Sequence, residues 1–369
     1  MRFLHTSDWQ MGMKAAAAGS SAQRVRQERL AAAQRVIELA RREKVSLILV
    51  AGDTFEDNAV DRVLVRQTAE ILQSFNGPVY LIPGNHDPLV PGSVWEHPVW
   101  TEFPNLTVCR EAQPIELDAC ILYPCPLTSK YSSQDPTKWI QRRPDDKIAL
   151  GLAHGTVEGV PATEPDYPIP RDAAVLRDLD YLAIGHWHSY SAYPDSSGAI
   201  RMAYPGTHET TKFGERASGN ALLVEIDAPR AVPKLVSLQT GGLRWITLDR
   251  TLAHQGDLPA LLAEVRELSE PDKTLIRVRL NGVLPADDRS ALTLLQEVLD
   301  ARFLRGTLES TAIPAPGDDS WISDLPLGPC RDAAVALRDR AAHTPGTLSR
   351  AIHAQALMIL FELHENAES

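Results

Sequence analysis

Three short apolar runs in the first ninety residues each end in a polar loop, and this repetition limits the folds open to the chain. "RFLHTS" runs into "SDWQ", "SLILVAG" into "GDTFED", and "PVYLIPG" into "GNHD". Between these strands the spacing predicts two helices. One runs from Ser21 to Lys44 with Leu30, Val36, Ile37 and Ala40 on one face, the other from about Val60 to Phe75. Short apolar runs joined by amphipathic helices are the pattern of parallel βαβ units. Such sheets gather ligand-binding loops at the carboxyl ends of their strands.

Residues 88–145 are proline-rich with short strand-like pieces, and apolar strands return at "KIALGLAHG", "LDYLAIGHWH", "RMAYPG", "NALLVEI" and "PKLVSL". A first domain is expected over 1–241. A second, 242–312, is expected from "TLIRVRLNG", where Ile276, Val278 and Leu280 alternate with Arg277 and Arg279. A helix from about Ala286 to Phe303 and a returning strand "GTLES" complete a small α+β module. The remainder, 313–369, reads as a linker ("STAIPAPGDDSWISDLPLGP" marks it by its Pro, Gly, Ser and Asp content) and a terminal helix from about Leu348 to Glu365.

Composition narrows the setting. With 44% hydrophobic and 23% charged residues the chain is globular in type. It opens without a signal-peptide pattern and has no run of about 18 apolar residues, so a cytoplasmic protein without a membrane span is expected. Cys109, Cys120, Cys125 and Cys330 form no CxxC pair and read as reduced, structural thiols. The net charge of −11 argues against holding nucleic acid by bulk electrostatics. Residues 251–369, with 11 basic and 18 acidic side chains, are the more acidic part.

Asp8, Asp53, Asn85, His86, His154, His186 and His188 all follow predicted strands. Carboxylate, amide oxygen and imidazole without thiolate suit Mn, Fe or Zn. A two-metal site needs a carboxylate bridging ions roughly 3.5–4 Å apart; it acidifies a water for in-line attack on phosphorus and neutralises the phosphoryl oxygens. A lone Asp after a strand is most often a cap, and "GHWH" alone decides little. The motifs together, in order and each after a strand, point to a metal centre.

The ordered set resembles the calcineurin-like metallophosphoesterase superfamily, with its DxH, GDxxD, GNHD or GNHE, later H, and GHxH. Within it, "YPGTHETTKFGE" (Tyr204 to Glu215) is similar to a segment of the SbcD-type DNA repair exonucleases. The resemblance covers roughly residues 1–226 and implies an α/β fold. Its form would be a metallophosphoesterase-type β-sandwich flanked by helices, with a small α+β capping domain and a helical C-terminal tail.

The resemblance also implies two divalent ions, Mn2+ first, with Mg2+, Fe and Zn2+ open. One would be held by Asp8, Gln10, Asp53 and His188, the other by Asp53, Asn85, His154 and His186, with Asp53 bridging. His86 would orient the phosphate or protonate the leaving oxygen, and Asp87 would fix its tautomer. Glu56 stands where GDxxD has its second Asp, and Gln10 where DxH has its histidine. An amide oxygen is the weaker donor, so that ion is expected to bind less tightly, with a preference for Mn or Mg over Zn. Tyr204, Thr207 and His208 are candidate substrate contacts.

The partners implied are DNA, a second copy of the chain, and an SbcC-like coiled-coil ATPase. The chain has no GxxxxGK[ST] loop, so ATP hydrolysis would belong to another polypeptide. The terminal helix is a candidate docking element for it. Arg24, Arg26, Arg29, Arg35, Arg41 and Arg42 on the first helix are candidate phosphate contacts or a solvated face. Two other functions remain open: a phosphodiesterase for cyclic nucleotides or other small molecules, and a metal-impaired scaffold for the ATPase.

Overall fold

The computed structural model describes residues 1–144, 146–159, 166–314, 320–344 and 346–368. The chain divides into two compact units, Met1–Leu243 and Arg244–Ser369.

The first unit begins with β1 (Arg2–Thr6), α1 (Ala22–Arg42), β2 (Ile48–Ala51), α2 (Arg62–Gln73), β3 (Val79–Ile82), α3 (Val99–Glu102) and β4 (Leu106–Val108). It continues through β5 (Ile115–Glu116), β6 (Cys120–Pro124), β7 (Ile148–His154), α4 (Ala173–Leu176) and β8 (Tyr181–Gly185). It closes with β9 (Ser191–Pro194), β10 (Ile200–Tyr204), β11 (Asn220–Glu225) and β12 (Lys234–Gln239). The strands form two six-stranded sheets, ordered β12-β11-β1-β2-β3-β4 and β5-β6-β7-β8-β10-β9. β1, β2 and β3 run parallel, with Thr6 opposite Val50 and Ala51 opposite Ile82. β7 and β8 run parallel with His154 opposite Gly185.

Period-two alternation fixes which side chains enter which layer. Phe3, Leu49, Ala51, Tyr80 and Ile82 point between the sheets and meet Leu122, Leu150, Leu152, Tyr181 and Ala183. Their neighbours Leu4, Ile48, Val50 and Leu81 point outward, under Val36, Ile37 and Ala40 of α1 and Val65, Ala69 and Leu72 of α2. α2 starts where the Asp61 carboxylate accepts the Val63 N–H at 2.6 Å, an N-cap bond. The result is the expected sandwich flanked by helices.

The second unit contains β13 (Arg244–Leu252), α5 (Asp257–Arg266), β14 (Thr274–Leu284), α6 (Arg289–Arg302), β15 (Arg305–Ser310) and β16 (Ile313–Pro314). α7 (Pro329–His343) and α8 (Thr347–Glu368) end it. Its strands pair in parallel around β14. In β14 Val278 and Leu280 are buried and Arg279 is exposed, as the alternation predicts. Periodicity in the sequence does not mark β13, α5 or α7. The expected linker is only partly one: Trp321, Ile322 and Leu325 are buried against Ala334 and Phe361, so its second half is anchored. Residues 315–319 of that segment lie outside the described residues. Cys109, Cys120 and Cys125 are buried and Cys330 is exposed; all four are free. No helix among the described residues is long and apolar enough to cross a membrane.

Candidate metal centre

The carboxyl ends of β1, β2, β3, β7 and β8 deliver the candidate ligands to one place. Glycine makes the approach close enough. A Cβ on Gly84 would sit 2.1 Å from Asp53 Oδ1, and one on Gly185 would sit 1.9 Å from the Ala51 carbonyl oxygen. Asp8, Gln10, Asp53 and His186 hold positive φ of 54°, 40°, 50° and 119°. Such backbone costs on the order of 1–3 kcal/mol per residue, and clusters of it mark functional sites.

His154 is fully buried, and its Nδ1 donates to the Ala51 carbonyl at 2.8 Å. That bond turns Nε2 toward Asn85 Oδ1 at 2.9 Å and Asp53 Oδ2 at 3.3 Å. His186 Nδ1 lies 3.2 Å from the same Asn85 oxygen, and the two imidazoles stand edge to face at 5.2 Å. One ligand atom from each of Asp53, His154 and His186 falls within a 4.8 Å group. A carboxylate, an amide oxygen and two imidazoles converging in a buried spot fit a borderline divalent cation.

Electrostatics agree with that fit. Burial disfavours the charged form of His154, yet the adjacent Asp53 carboxylate outweighs it and raises the imidazole to about 9. Burial also opposes ionisation of Asp53, but His154 and His86 hold it below the usual carboxylate range. His186, buried and beside His154, falls to about 3. A proton on His154 thus supplies the positive charge that the cluster calls for. Metal binding must displace that proton, because a ligating imidazole is neutral. The imidazole's pKa lies above neutrality, so apparent metal affinity rises by about tenfold per pH unit from pH 7 and levels off near pH 9. Calorimetric titration in buffers of different ionisation enthalpy reads the released proton. A flat profile over that range would contradict the assignment.

The other half of the site is built around Asp8. Its Oδ1 and Oδ2 each accept the His186 N–H at 3.1 Å, and Ser7 Oγ donates to Oδ2 at 2.5 Å. Gln10 is buried, its N–H donates to the Asp53 carbonyl at 2.9 Å, and its side chain makes no hydrogen bond among the described residues. The amide is therefore uncommitted. Gln10→His should tighten the ion on the Asp8 side by about tenfold or more and widen the range of metals accepted. Unchanged affinity by titration would remove residue 10 from the ligand set.

His188 Nδ1 lies 2.8 Å from Glu215 Oε1, which Thr211 also holds through its hydroxyl, while the Thr211 N–H donates to Oε2 at 2.8 Å. A carboxylate on one imidazole nitrogen orients the other toward a metal. In "YPGTHETTKFGE" the sequence alone gives Glu215 no role. A glutamate placed beside a paired-histidine motif was the available signal.

Several expectations are corrected. Asp87 does not touch His86: its buried carboxylate accepts the N–H groups of Phe55 at 2.9 Å and Gly84 at 2.7 Å, tying two ligand loops together. The Glu56 carbonyl takes the tautomer-fixing role, 2.9 Å from His86 Nδ1, and the His86 N–H donates to Asp53 Oδ1 at 2.9 Å. Tyr204, Thr207 and His208 are fully buried and bond the backbone around them. Tyr204 bonds Gly155 and Val157, Thr207 donates to the Asp8 carbonyl at 2.8 Å, and His208 stacks on Trp9 with Nε2 on the Arg29 carbonyl. Arg29, a candidate phosphate contact by sequence, is only 1% exposed. Its guanidinium donates to the carbonyls of Trp9, Asp8 and Glu209 behind the site.

A family model for calcineurin-like phosphoesterases matches residues 1–190, which span every ligand loop. The chain belongs to this family. Over 213 residues it is 26% identical to the uncharacterized metallophosphoesterase YhaO of Bacillus subtilis (strain 168), a match covering 55% of this chain and 51% of YhaO. The chain thus spans about half the length of that curated relative. The crystal structure of TT1561 of Thermus thermophilus is similar at 13% identity and a TM-score of 0.43, over 65% of this chain and 98% of that one.

Proposed function

We propose that this phosphoesterase is a dinuclear phosphodiesterase acting on DNA, an exonuclease with single-strand endonuclease activity that works in repair with an SMC-like coiled-coil ATPase. The observation that carries the reading is the Glu215–His188 contact of 2.8 Å. It makes the segment resembling SbcD-type nucleases part of the support of a metal ligand.

Two divalent ions, Mn2+ first by the resemblance to SbcD-type nucleases, would supply Lewis-acid stabilisation of the phosphoryl oxygens and an acidified water. Asp8, Gln10, Asp53 and His188 would hold one ion, and Asp53, Asn85, His154 and His186 the other. His86, half-buried, has its backbone tied to Asp53 and its Nδ1 donating to the Glu56 carbonyl, which leaves Nε2 to orient the phosphate or, in the doubly protonated imidazolium, to protonate the leaving oxygen.

α8 supports the ATPase partner. Leu348, Ile352, Ile359 and Leu363 are exposed by 77%, 57%, 49% and 62%. Their spacing places them within an arc of about 60° on the helix. Phe361 turns the other way into the core with Trp321. An apolar stripe of that form fits a partner helix. A homodimer would use helices of the first unit, where Val63 of α2 is 74% exposed.

End-labelled DNA and a cyclic nucleotide, each incubated with Mn2+, test the reading against His86→Ala. Cleavage of DNA that is lost in the variant is expected, by about 10²–10⁴-fold for removal of a general acid. Cleavage of the cyclic nucleotide alone would replace the nuclease reading by a small-molecule one. Inactivity on both would favour a scaffold.

A further inference from the structure

A cleft of about 340 Å³ opens beside the metal centre, where His186 and His188 line it together with Ser189, Lys212 and Glu215. The turn that carries Lys212 is pinned at both ends. The Thr211 N–H donates to Glu215 Oε2 at 2.8 Å, and the Arg216 N–H donates to Ser189 Oγ at 2.9 Å. Fixed backbone thus delivers the lysine to the cleft, while the residue itself is exposed.

Among the described residues Lys212 forms no ion pair, whereas Lys147, Lys234 and Lys273 lie 2.9, 3.0 and 2.8 Å from Glu116, Asp227 and Glu270. Glu215, the acid on the same turn, has a side chain only 3% exposed and is engaged by His188 and Thr211. The charge of Lys212 is felt at His188, one of the residues that would hold an ion. A cation at that place opposes the binding of divalent ions, because like charges repel across a partly desolvated cleft. An anion in the cleft offsets the repulsion. The ions would neutralise the oxygens of the scissile phosphoryl group themselves, which leaves the lysine for a further anionic group of the same substrate.

We propose that Lys212 is a specificity-determining residue that binds the phosphate next to the scissile one. The site then prefers a strand, with its succession of phosphates, over an isolated diester such as a cyclic nucleotide. An ammonium on a flexible stem is a point charge with rotatable donors, so it takes the phosphate without reading the base. The inference rests on the phosphodiesterase reading above and narrows its substrate to a polyanionic strand.

The test uses two pairs of p-nitrophenyl esters with Mn2+. One is thymidine 5′-p-nitrophenyl phosphate with and without a methyl-capped 3′-phosphate; the other is thymidine 3′-p-nitrophenyl phosphate with and without a methyl-capped 5′-phosphate. In one pair the added phosphate should raise kcat/KM by about three- to tenfold at low salt, chiefly through KM, the range of one charge-assisted contact at an exposed site. The gain should fade as salt is raised. Lys212→Ala should bring the ratio close to one, Lys212→Arg should keep it, and Lys212→Glu should reverse it. The ratio is taken within each variant, so a change at the metal centre, common to both esters, cancels. Binding of labelled oligothymidylate to the metal-free protein, read by anisotropy, tests the contact without turnover. The plot of log K against log salt should be shallower by about 0.7 in Lys212→Ala, the loss of one phosphate contact on a single strand. A ratio of one for both pairs in the wild type, or a ratio and a salt slope untouched by Lys212→Ala, overturns the assignment. Hydrolysis of the esters without DNA cleavage removes the nuclease reading and leaves the second-phosphate contact standing. Inactivity on every ester removes the phosphodiesterase reading, and the salt slope then decides the contact alone.

Discussion

Asp53→Asn should lower kcat/KM for phosphodiester hydrolysis by at least about 10³-fold, roughly 4 kcal/mol of transition-state stabilisation, in a chain that still folds. The expectation follows from where the carboxylate stands. Oδ1 accepts the His86 N–H at 2.9 Å, Oδ2 lies 3.3 Å from His154 Nε2, and the charge is felt at Asp8 on the other side of the site. Asparagine preserves its shape but removes the negative charge that raises His154 to about 9. The cluster then has less need of a cation. Metal-dependent stabilisation, which reaches about 2.7 kcal/mol at a hundredfold excess over Kd, should vanish from thermal melts of the variant. Melts of the metal-free proteins should remain cooperative in both. A variant that keeps its metal-induced shift would show that Asp53 does not bridge.

Arg29→Met should destabilise the first unit by about 3–5 kcal/mol. Arg29 lies on α1 with only 1% of its surface exposed. Burial lowers its pKa to about 10, and the charges of Glu209, Glu215, Glu56 and Asp8 work against that, so the guanidinium stays charged. It donates to the Glu209 carbonyl at 2.7 Å and to those of Trp9 and Asp8 at 3.1 and 3.4 Å. Methionine fills the volume but takes the donor from the Trp9 carbonyl, leaves the Asp8 and Glu209 carbonyls with the Thr207 hydroxyl, and removes one positive charge from beside Glu209 and Asp8. Arg29→Lys should recover only part of the loss, because one ammonium cannot reproduce the planar fork. Denaturant unfolding of chelated protein measures both variants. A loss below about 1 kcal/mol for methionine would mean that water replaces the guanidinium at little cost.

The largest features were legible in the sequence because they rest on local pattern. Leu4, Ile48 and Val50 on one face and Phe3, Leu49 and Ala51 on the other follow from strand periodicity once βαβ units are recognised. The ligand loops were legible because strand ends and glycines mark them.

What was missed depends on long-range contacts. β13 is a strand because β14 pairs with it, while its own residues alternate weakly and are half exposed. α7 buries only Ala334 among the described residues, too little for a periodic signal. The resemblance implied that Asp87 fixes the His86 tautomer, but the loop turns the two neighbouring side chains to different partners. Tyr204, Thr207 and His208 lie in the segment that matters, yet they brace it from within while Glu215 reaches the site. Arg29 shares a helix with solvated arginines, and only the packed structure distinguishes it.

The most direct measurement is a crystal structure of the protein soaked in Mn2+, with anomalous differences recorded at the manganese edge. Two peaks roughly 3.5–4 Å apart, one on each side of Asp53, are predicted. His154, His186 and Asn85 should lie around one, and Asp8, His188 and the Gln10 amide oxygen around the other. A single peak, or two peaks without Asp53 between them, would contradict the two-metal account.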